Sequence, residues 1–216
     1  MEFCKKSKYK DNLCYHPAYL EAMCKMFPIT LLKFVRLPVS LVGEILSEPL
    51  YKDLQVIYLP RDPRAVMSSR WNPRKTKWCR TADCSLVEVV CNDMDSDLEA
   101  ALYLKRSYPK QIHILRYEDI AKEPDNMTHK LFDALNIEYR EETQKYLKMH
   151  TEANRGSKTF RDSDTRIIAW KHEMDATYLS YVEKNCTGIM EKFGYIPTVS
   201  KNFTMSDVIL PCPVAL

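Results

Sequence analysis

The chain has 216 residues, 45% hydrophobic and 28% charged, with 4 glycines, a composition that excludes a disordered or low-complexity protein and suffices for one domain, 1–216, with a real core. Its formal charge of +3 is too small to imply a nucleic-acid partner, and no helix-turn-helix, RNA-recognition or zinc-finger pattern is present. Residues 1–30, rich in Lys, Cys and Tyr, hold no apolar run of the length a signal or membrane anchor needs, and no other segment supplies one.

In chain order, Phe27 to Val35 has strand-like apolar character and closes at Arg36-Leu37-Pro38. Pro38 to Leu46 reads as a short helix, with Val39, Val42 and Leu46 spaced for one face. Leu54 to Leu59 is a second strand, and its near-continuous apolar run suits a parallel strand covered on both faces. A helix follows over 63–70. Asp62 is placed as its N-cap and Pro63 at its first turn, where a missing N–H costs nothing. Trp71 to Asp83 is a polar loop. Ser85 to Ser107 is a long amphipathic helix, with Leu86, Val90, Met94, Leu98 and Leu102 recurring every four. Pro109 ends it, and Gln111 to Leu115 is the third strand. A helix opened by Pro124 carries Met127, Leu131 and Leu135, and Glu142 to His150 is helical as well. After a polar loop over 151–166, Met174 to Phe193 reads as the last long helix, with Gly194 placed as its C-terminal stop. Strands alternating with helices predict a parallel α/β sheet.

The most informative stretch is Leu59-Pro60-Arg61-Asp62-Pro63-Arg64-Ala65-Val66-Met67-Ser68-Ser69-Arg70. It places arginines and hydroxyls where a strand gives way to a helix, an arrangement suited to holding a phosphate. The alternative is a surface loop with solvated arginines. Between Arg61 and Arg80 there are seven basic residues and one acid, Asp62. That local field attracts phosphates, sulfates or acidic glycans.

Eight cysteines (4, 14, 24, 79, 84, 91, 186 and 212) include no C-x-x-C, so structural disulfides in an oxidising lumen are the reading preferred over zinc, with reduced core thiols left open. The sequons Asn126-Met127-Thr128, Asn185-Cys186-Thr187 and Asn202-Phe203-Thr204 agree with a lumen, although the first two fall in predicted helices. The five histidines make no pairing with Ser, Cys or carboxylate that spacing supports, so a hydrolase triad is not expected.

Arg61-Asp62-Pro63-Arg64-Ala65 with Ser69-Arg70 resembles the 3′-phosphate-binding signature of sulfotransferases that use 3′-phosphoadenosine 5′-phosphosulfate (PAPS), specifically the Golgi carbohydrate 6-O-sulfotransferases. Further stretches resemble that family in order: Arg116-Tyr117-Glu118-Asp119-Ile120, Thr159-Phe160-Arg161-Asp162-Ser163 with Trp170-Lys171, Cys186 with Phe193-Gly194-Tyr195, and Asp207-Val208-Ile209-Leu210-Pro211. The resemblance implies a P-loop-like parallel sheet flanked by helices, the sulfotransferase fold. It implies that Arg61 and Ser69 grip the donor's 3′-phosphate, that Tyr117 lies against its adenine, and that Arg161 and Ser163 add a second grip. Packing in the core is the other reading of Tyr117, and Glu118 and Asp119 are expected to hold the loop and nearby cations. Cys91 and Cys186 match family cysteines, and a bridge between them is one possibility within the 105 pairings that eight cysteines allow.

The resemblance also implies a first strand and a Gly/Ser-rich loop for the 5′-phosphosulfate. Nothing comparable stands in this sequence, whose first glycine is Gly43. The expectation is therefore the C-terminal portion of a longer carbohydrate sulfotransferase, or an incomplete gene model. The longer form would be a membrane-anchored Golgi-lumen enzyme moving a sulfonate from PAPS, without metal, to the 6-hydroxyl of GlcNAc, Gal or GalNAc in a glycan or glycosaminoglycan. The alternative is a non-catalytic module that binds 3′,5′-ADP (PAP) or an anionic glycan. No catalytic base is identifiable.

Overall fold

The structure is a computed structural model describing residues 16–71, 79–151, 164–198, 209 and 212. Two compact units are distinguished, Met1–Leu37 and Pro38–Leu216. In the first, helix α1 (Pro17–Lys25) starts at a proline and buries none of its side chains. The strand expected over 27–35 does not form. The segment has no ladder partner among the described residues, and Phe27, Leu31 and Val35 stand exposed. A strand exists only through a neighbour's backbone groups, and an apolar run without period-2 alternation does not specify one.

The second unit is built around two parallel strands, β1 (Val56–Tyr58) and β2 (Ile112–Ile114), paired Val56 to Ile112, Ile57 to His113 and Tyr58 to Ile114. Backbone bonds continue beyond the ladder, with Leu115 N donating to Tyr58 O at 3.0 Å and Tyr117 N to Pro60 O at 2.9 Å. Pro60 thus loses nothing by lacking an N–H, because only its carbonyl is used. All of β2 is buried, as expected of a covered parallel strand. β1 is not: Ile57 is exposed and its neighbours are half-buried. Among the described residues β1 has a single ladder partner, which leaves its other edge and part of its faces open.

Helices flank this pair. A 3-10 turn (Val39–Leu41) and α2 (Val42–Ser47) bury Val39, Val42 and Leu46, the face read from the sequence. Asp97 accepts from Val39 N at 2.8 Å and so caps that turn. α3 (Pro63–Trp71) follows β1, and α4 (Ala82–Ser85) occupies the end of what reads as a loop. α5 (Val87–Ser107) buries Val87, Val90, Cys91, Leu98, Ala101 and Leu104, while Leu86 is exposed. The buried stripe therefore steps by threes and fours. A strict four-residue repeat drifts about 40° per step on a 3.6-residue helix and leaves the core face within a few turns.

After β2 come α6 (Tyr117–Lys122), α7 (Pro124–Ala134) and α8 (Glu141–Thr151). A 3-10 turn (Asp164–Arg166) and α9 (Trp170–Glu173) precede α10 (Ala176–Asn185) and α11 (Thr187–Lys192). The single long helix expected over 174–193 is thus two helices, broken at Cys186, whose φ of −108° and ψ of 9° depart from helix values. Asp175 caps α10 by accepting from Tyr178 N. Gly194, at φ 76°, does end the helical run, in a conformation that a side chain would disfavour.

Disulfides staple the helices to one another. Cys91 of α5 is bonded to Cys186 at the α10–α11 break, which settles between these two cysteines a pairing that the sequence left open. Cys79 is bonded to Cys84, closing a short loop beside α4 that the sequence alone left open. No helix among the described residues is long and apolar enough to cross a membrane.

Candidate donor-binding site

Parallel strands place their carboxyl ends together, and ligands of open α/β sheets gather there. Arg61 leaves the end of β1 and Tyr117 the end of β2. The Tyr117–Pro60 backbone bond holds the two exits side by side, and the Arg61 guanidinium lies over the Tyr117 ring, 4.5 Å from its centroid. One Arg61 nitrogen donates to Arg166 O at 3.4 Å, while its Nε is buried with no hydrogen-bond partner. A buried donor left unpaired is costly, and an incoming acceptor would relieve it.

These residues line a cavity of about 130 Å³, whose wall includes Arg61, Ser68, Ser69, Tyr117, Arg166 and Glu173. The two hydroxyls differ. Ser68 is buried and donates to Glu173 Oε2 at 2.9 Å, whereas Ser69 is exposed at the rim. Glu173 Oε1 pairs with Arg166 at 3.3 Å. Two guanidinium groups against one carboxylate leave the cavity net positive, with an uncommitted hydroxyl and a spare N–H donor. That set fits a phosphate.

Behind the cavity lies a buried ionic frame. Asp62 accepts from Arg64 N at 2.8 Å, which is the helix cap read from the sequence, and also holds the Arg64 guanidinium on both carboxylate oxygens. Arg64 is fully buried. It continues to Glu183 at 3.0 Å and to Ile196 O at 2.8 Å, and packs over Trp170 at 4.2 Å. Glu183 in turn accepts from the Thr198 amide and hydroxyl. Arg64 is therefore not a ligand-facing arginine. It locks the first turn of α3 against α10 and residues 196–198.

Glu118 forms the second clamp. Its carboxylate accepts from Asp62 N at 3.0 Å and from the Tyr195 hydroxyl at 2.7 Å. Burial, then the nearby Asp62 charge, pushes this carboxyl up to about 7. Arg116 makes a bidentate pair with Asp119 and donates to Phe193 O at 2.6 Å. Glu118 thus holds the loop through Asp62 N, while the cation, Arg116, is held by Asp119 and not by Glu118.

Arg161 and Ser163 lie outside the described residues, as does most of the Asp207–Pro211 stretch. The structure brings Arg61, Ser69 and Tyr117 together. It adds Arg166 and Glu173, which the sequence reading missed. Arg166 sat in what looked like a polar loop, and Glu173 lies on a four-residue helix too short to show a period. Among the described residues no group of three or more His, Cys, Asp or Glu is placed to hold a metal.

The family model for the sulfotransferase domain matches residues 28–194. The chain belongs to the sulfotransferase domain family. That match spans both strands, the cavity and the Asp62–Arg64–Glu183 part of the ionic frame behind it. The sulfotransferase relatives it resembles include carbohydrate sulfotransferase 1 of Danio rerio, 24% identical over 198 residues that make up 81% of this chain and 47% of the relative. Carbohydrate sulfotransferase 2 of Homo sapiens is 25% identical over 221 residues, 82% of this chain and 42% of its own length. Carbohydrate sulfotransferase 5 of Mus musculus is 26% identical over 196 residues, 80% and 49% respectively. The chain thus spans a little under half the length of these relatives. No solved structure matches it.

Proposed function

We propose that this chain is the C-terminal portion of a single-domain carbohydrate sulfotransferase and supplies the half of the donor site that grips the 3′-phosphate of PAPS. The observation that carries this reading is the Arg61–Tyr117 pair at the carboxyl ends of β1 and β2, with Ser69 and Arg166 on the same cavity. Arg61 lines that cavity, and its Nε is buried without a hydrogen-bond partner. Ser69 is the available hydroxyl, since Ser68 is taken by Glu173. Tyr117 offers an aromatic surface for the adenine, and Arg161 with Ser163 would add the second grip.

In the whole protein the reaction would be an in-line displacement. The acceptor sugar's 6-hydroxyl, on GlcNAc, Gal or GalNAc, gains the sulfonate and loses its proton to a base, and 3′,5′-ADP leaves. Positioning and charge stabilisation dominate such a transfer. The role of Arg61 and Ser69 is to fix the donor, which orients the reacting group without touching it. The relatives' names speak of a carbohydrate, which supports a glycan or glycosaminoglycan acceptor in this reading. A lumenal location, with the Golgi as the compartment, is part of this reading, and it is supported by two disulfides among the described residues, since such bonds persist in oxidising compartments.

The test is transfer of labelled sulfonate from PAPS to oligosaccharides ending in GlcNAc, Gal or GalNAc, with the product mapped by NMR. Sulfation at the 6-position supports the reading. Tight PAP binding without transfer by the longest natural form would favour the non-catalytic module instead.

A further inference from the structure

The Asn185-Cys186-Thr187 sequon, which the proposed function does not use, falls where the helix expected over 174–193 breaks in two. Asn185 is the last residue of α10 and is exposed. Cys186 is buried and bonded to Cys91, and Thr187 opens α11. A side chain at Gly188 would meet no atom within 4 Å, so open space lies beside the junction.

Each member of the sequon is engaged in the folded chain. Asn185 Nδ2 donates to Tyr181 O at 2.8 Å. The Thr187 hydroxyl donates to Glu183 O at 2.8 Å, with Lys184 O also in reach at 3.2 Å. Cys186 is tied to α5 by a bond that closes a span of 95 residues. Attachment of an N-linked glycan needs the opposite state. The asparagine nitrogen has to be free, the threonine hydroxyl has to turn to the transferase, and the backbone between them has to be open. Transfer at Asn185 therefore comes before the α10–α11 junction closes, and the Cys91–Cys186 bond is what fixes that junction shut. A glycan attached earlier is tolerated afterwards, because Asn185 stays exposed and Gly188 leaves room beside it.

We infer that Asn185 is an N-glycosylation site whose occupancy is set by a race with the Cys91–Cys186 bond. The inference rests on the lumenal location in the proposed function and not on the donor site. In the transfer, the anomeric carbon of a lipid-linked oligosaccharide leaves its diphosphate and bonds to Asn185 Nδ2, which gives up one proton. The N–H that remains still serves Tyr181 O. In the competing step, the Cys91 and Cys186 thiols lose two protons and pass two electrons to a lumenal protein disulfide, which is reduced to two thiols. The bond formed first shuts the sequon, whereas the glycan added first leaves both thiols free to pair later. Disulfides form over seconds or longer and chains grow at about 5–20 residues per second, so the two steps overlap in time. Asn126 is the internal reference. It is exposed in the first turn of α7, a helix that buries none of its side chains, and its sequon holds no cysteine. Asn202 lies outside the described residues.

The experiment directs the full chain into the endoplasmic reticulum of human cells behind a cleavable signal and collects all of it, folded or not. Peptide N-glycosidase in heavy-oxygen water turns each glycosylated asparagine into labelled aspartate, and mass spectrometry reads the occupancy of Asn185 and Asn126. Two comparable competitors leave Asn185 occupied in about half of the chains, and Cys91→Ser, which removes one of them, is expected to raise that about twofold with Asn126 unchanged. Occupancy is read whether or not Cys91→Ser folds, and dithiothreitol given during synthesis removes the bond with the sequence intact. An unmodified Asn185 in the wild type and in Cys91→Ser overturns the site. Equal occupancy in the two, or a rise at Asn126 as large as at Asn185, overturns the race. PAP binding by the wild-type chain is measured in parallel: its failure would count against the donor site and leave the occupancy result to stand by itself.

Discussion

Arg61 lies over the ring of Tyr117, 4.5 Å from its centroid, although the two belong to motifs separated by a long helix and a second strand. The relationship is produced by the sheet. Parallel pairing of Tyr58 with Ile114, continued by the Tyr117–Pro60 bond, fixes where both chains leave the strands. The cavity lined by Arg61 and Tyr117 follows from that register and from α3 starting immediately after Asp62.

The frame behind the cavity rests on Arg64. Replacing it with Met leaves Asp62 and Glu183 buried without their cation, and removing one partner of a buried ionic group typically costs about 3–5 kcal/mol. Arg64→Met is therefore expected to lower the urea midpoint sharply. An exposed arginine would cost almost nothing, so an unchanged midpoint would contradict its placement.

Glu118 makes stability depend on pH. Its carboxyl titrates near 7 in the folded chain because of burial and the Asp62 charge, against an ordinary value of 4.5. Between those values the folded state holds a proton that the unfolded state has released, so stability falls as pH rises. The full loss is on the order of 3 kcal/mol above pH ~7. Below pH ~4.5 both states are protonated and the group's contribution is fully present. Glu118→Gln keeps an acceptor for Asp62 N, and urea unfolding from pH 5 to 8 is expected to show a shallower decline than the wild type. Parallel pH curves for the two proteins would refute this role.

The Cys91–Cys186 bond closes a span of 95 residues. A crosslink of that length contributes about 2–5 kcal/mol, chiefly by restricting the unfolded chain. The Cys91→Ala, Cys186→Ala double variant is expected to unfold at correspondingly lower denaturant, and a peptide map of the wild type should show the two half-cystines linked. A free thiol at either position would disprove the bond.

The sequence made β1, β2, the α3 start and the one-face burial of Val39, Val42 and Leu46 legible because each has a strong local signal: an apolar run, a capping Asp-Pro, a helical spacing. Residues 27–35 misled because an apolar run carries no information about a partner strand. The break at Cys186 was hidden because residues on both sides keep helical periodicity, and the disulfide there is a tertiary constraint. The arginines and hydroxyls of 61–70 stood out as a strand-to-helix pattern suited to a phosphate, and motif resemblance singled out Arg61 and Ser69 among them and added Tyr117 to the candidate site. Spacing gave no hint that Arg64 would turn inward while Arg61 faces the cavity. That difference arises from Asp62 and Glu183, one of which arrives from a distant helix.

The central claim is that Arg61 and Ser69 hold the donor's 3′-phosphate, and calorimetric titration of the full chain with PAP tests it most directly. Losing one charge-assisted contact costs about 1.5–3 kcal/mol, so Arg61→Ala is expected to weaken PAP at least about tenfold, Ser69→Ala by less, and adenosine 5′-phosphate, which lacks the 3′-phosphate, should be insensitive to either change. Equal PAP affinity in the wild type and Arg61→Ala would contradict the assignment.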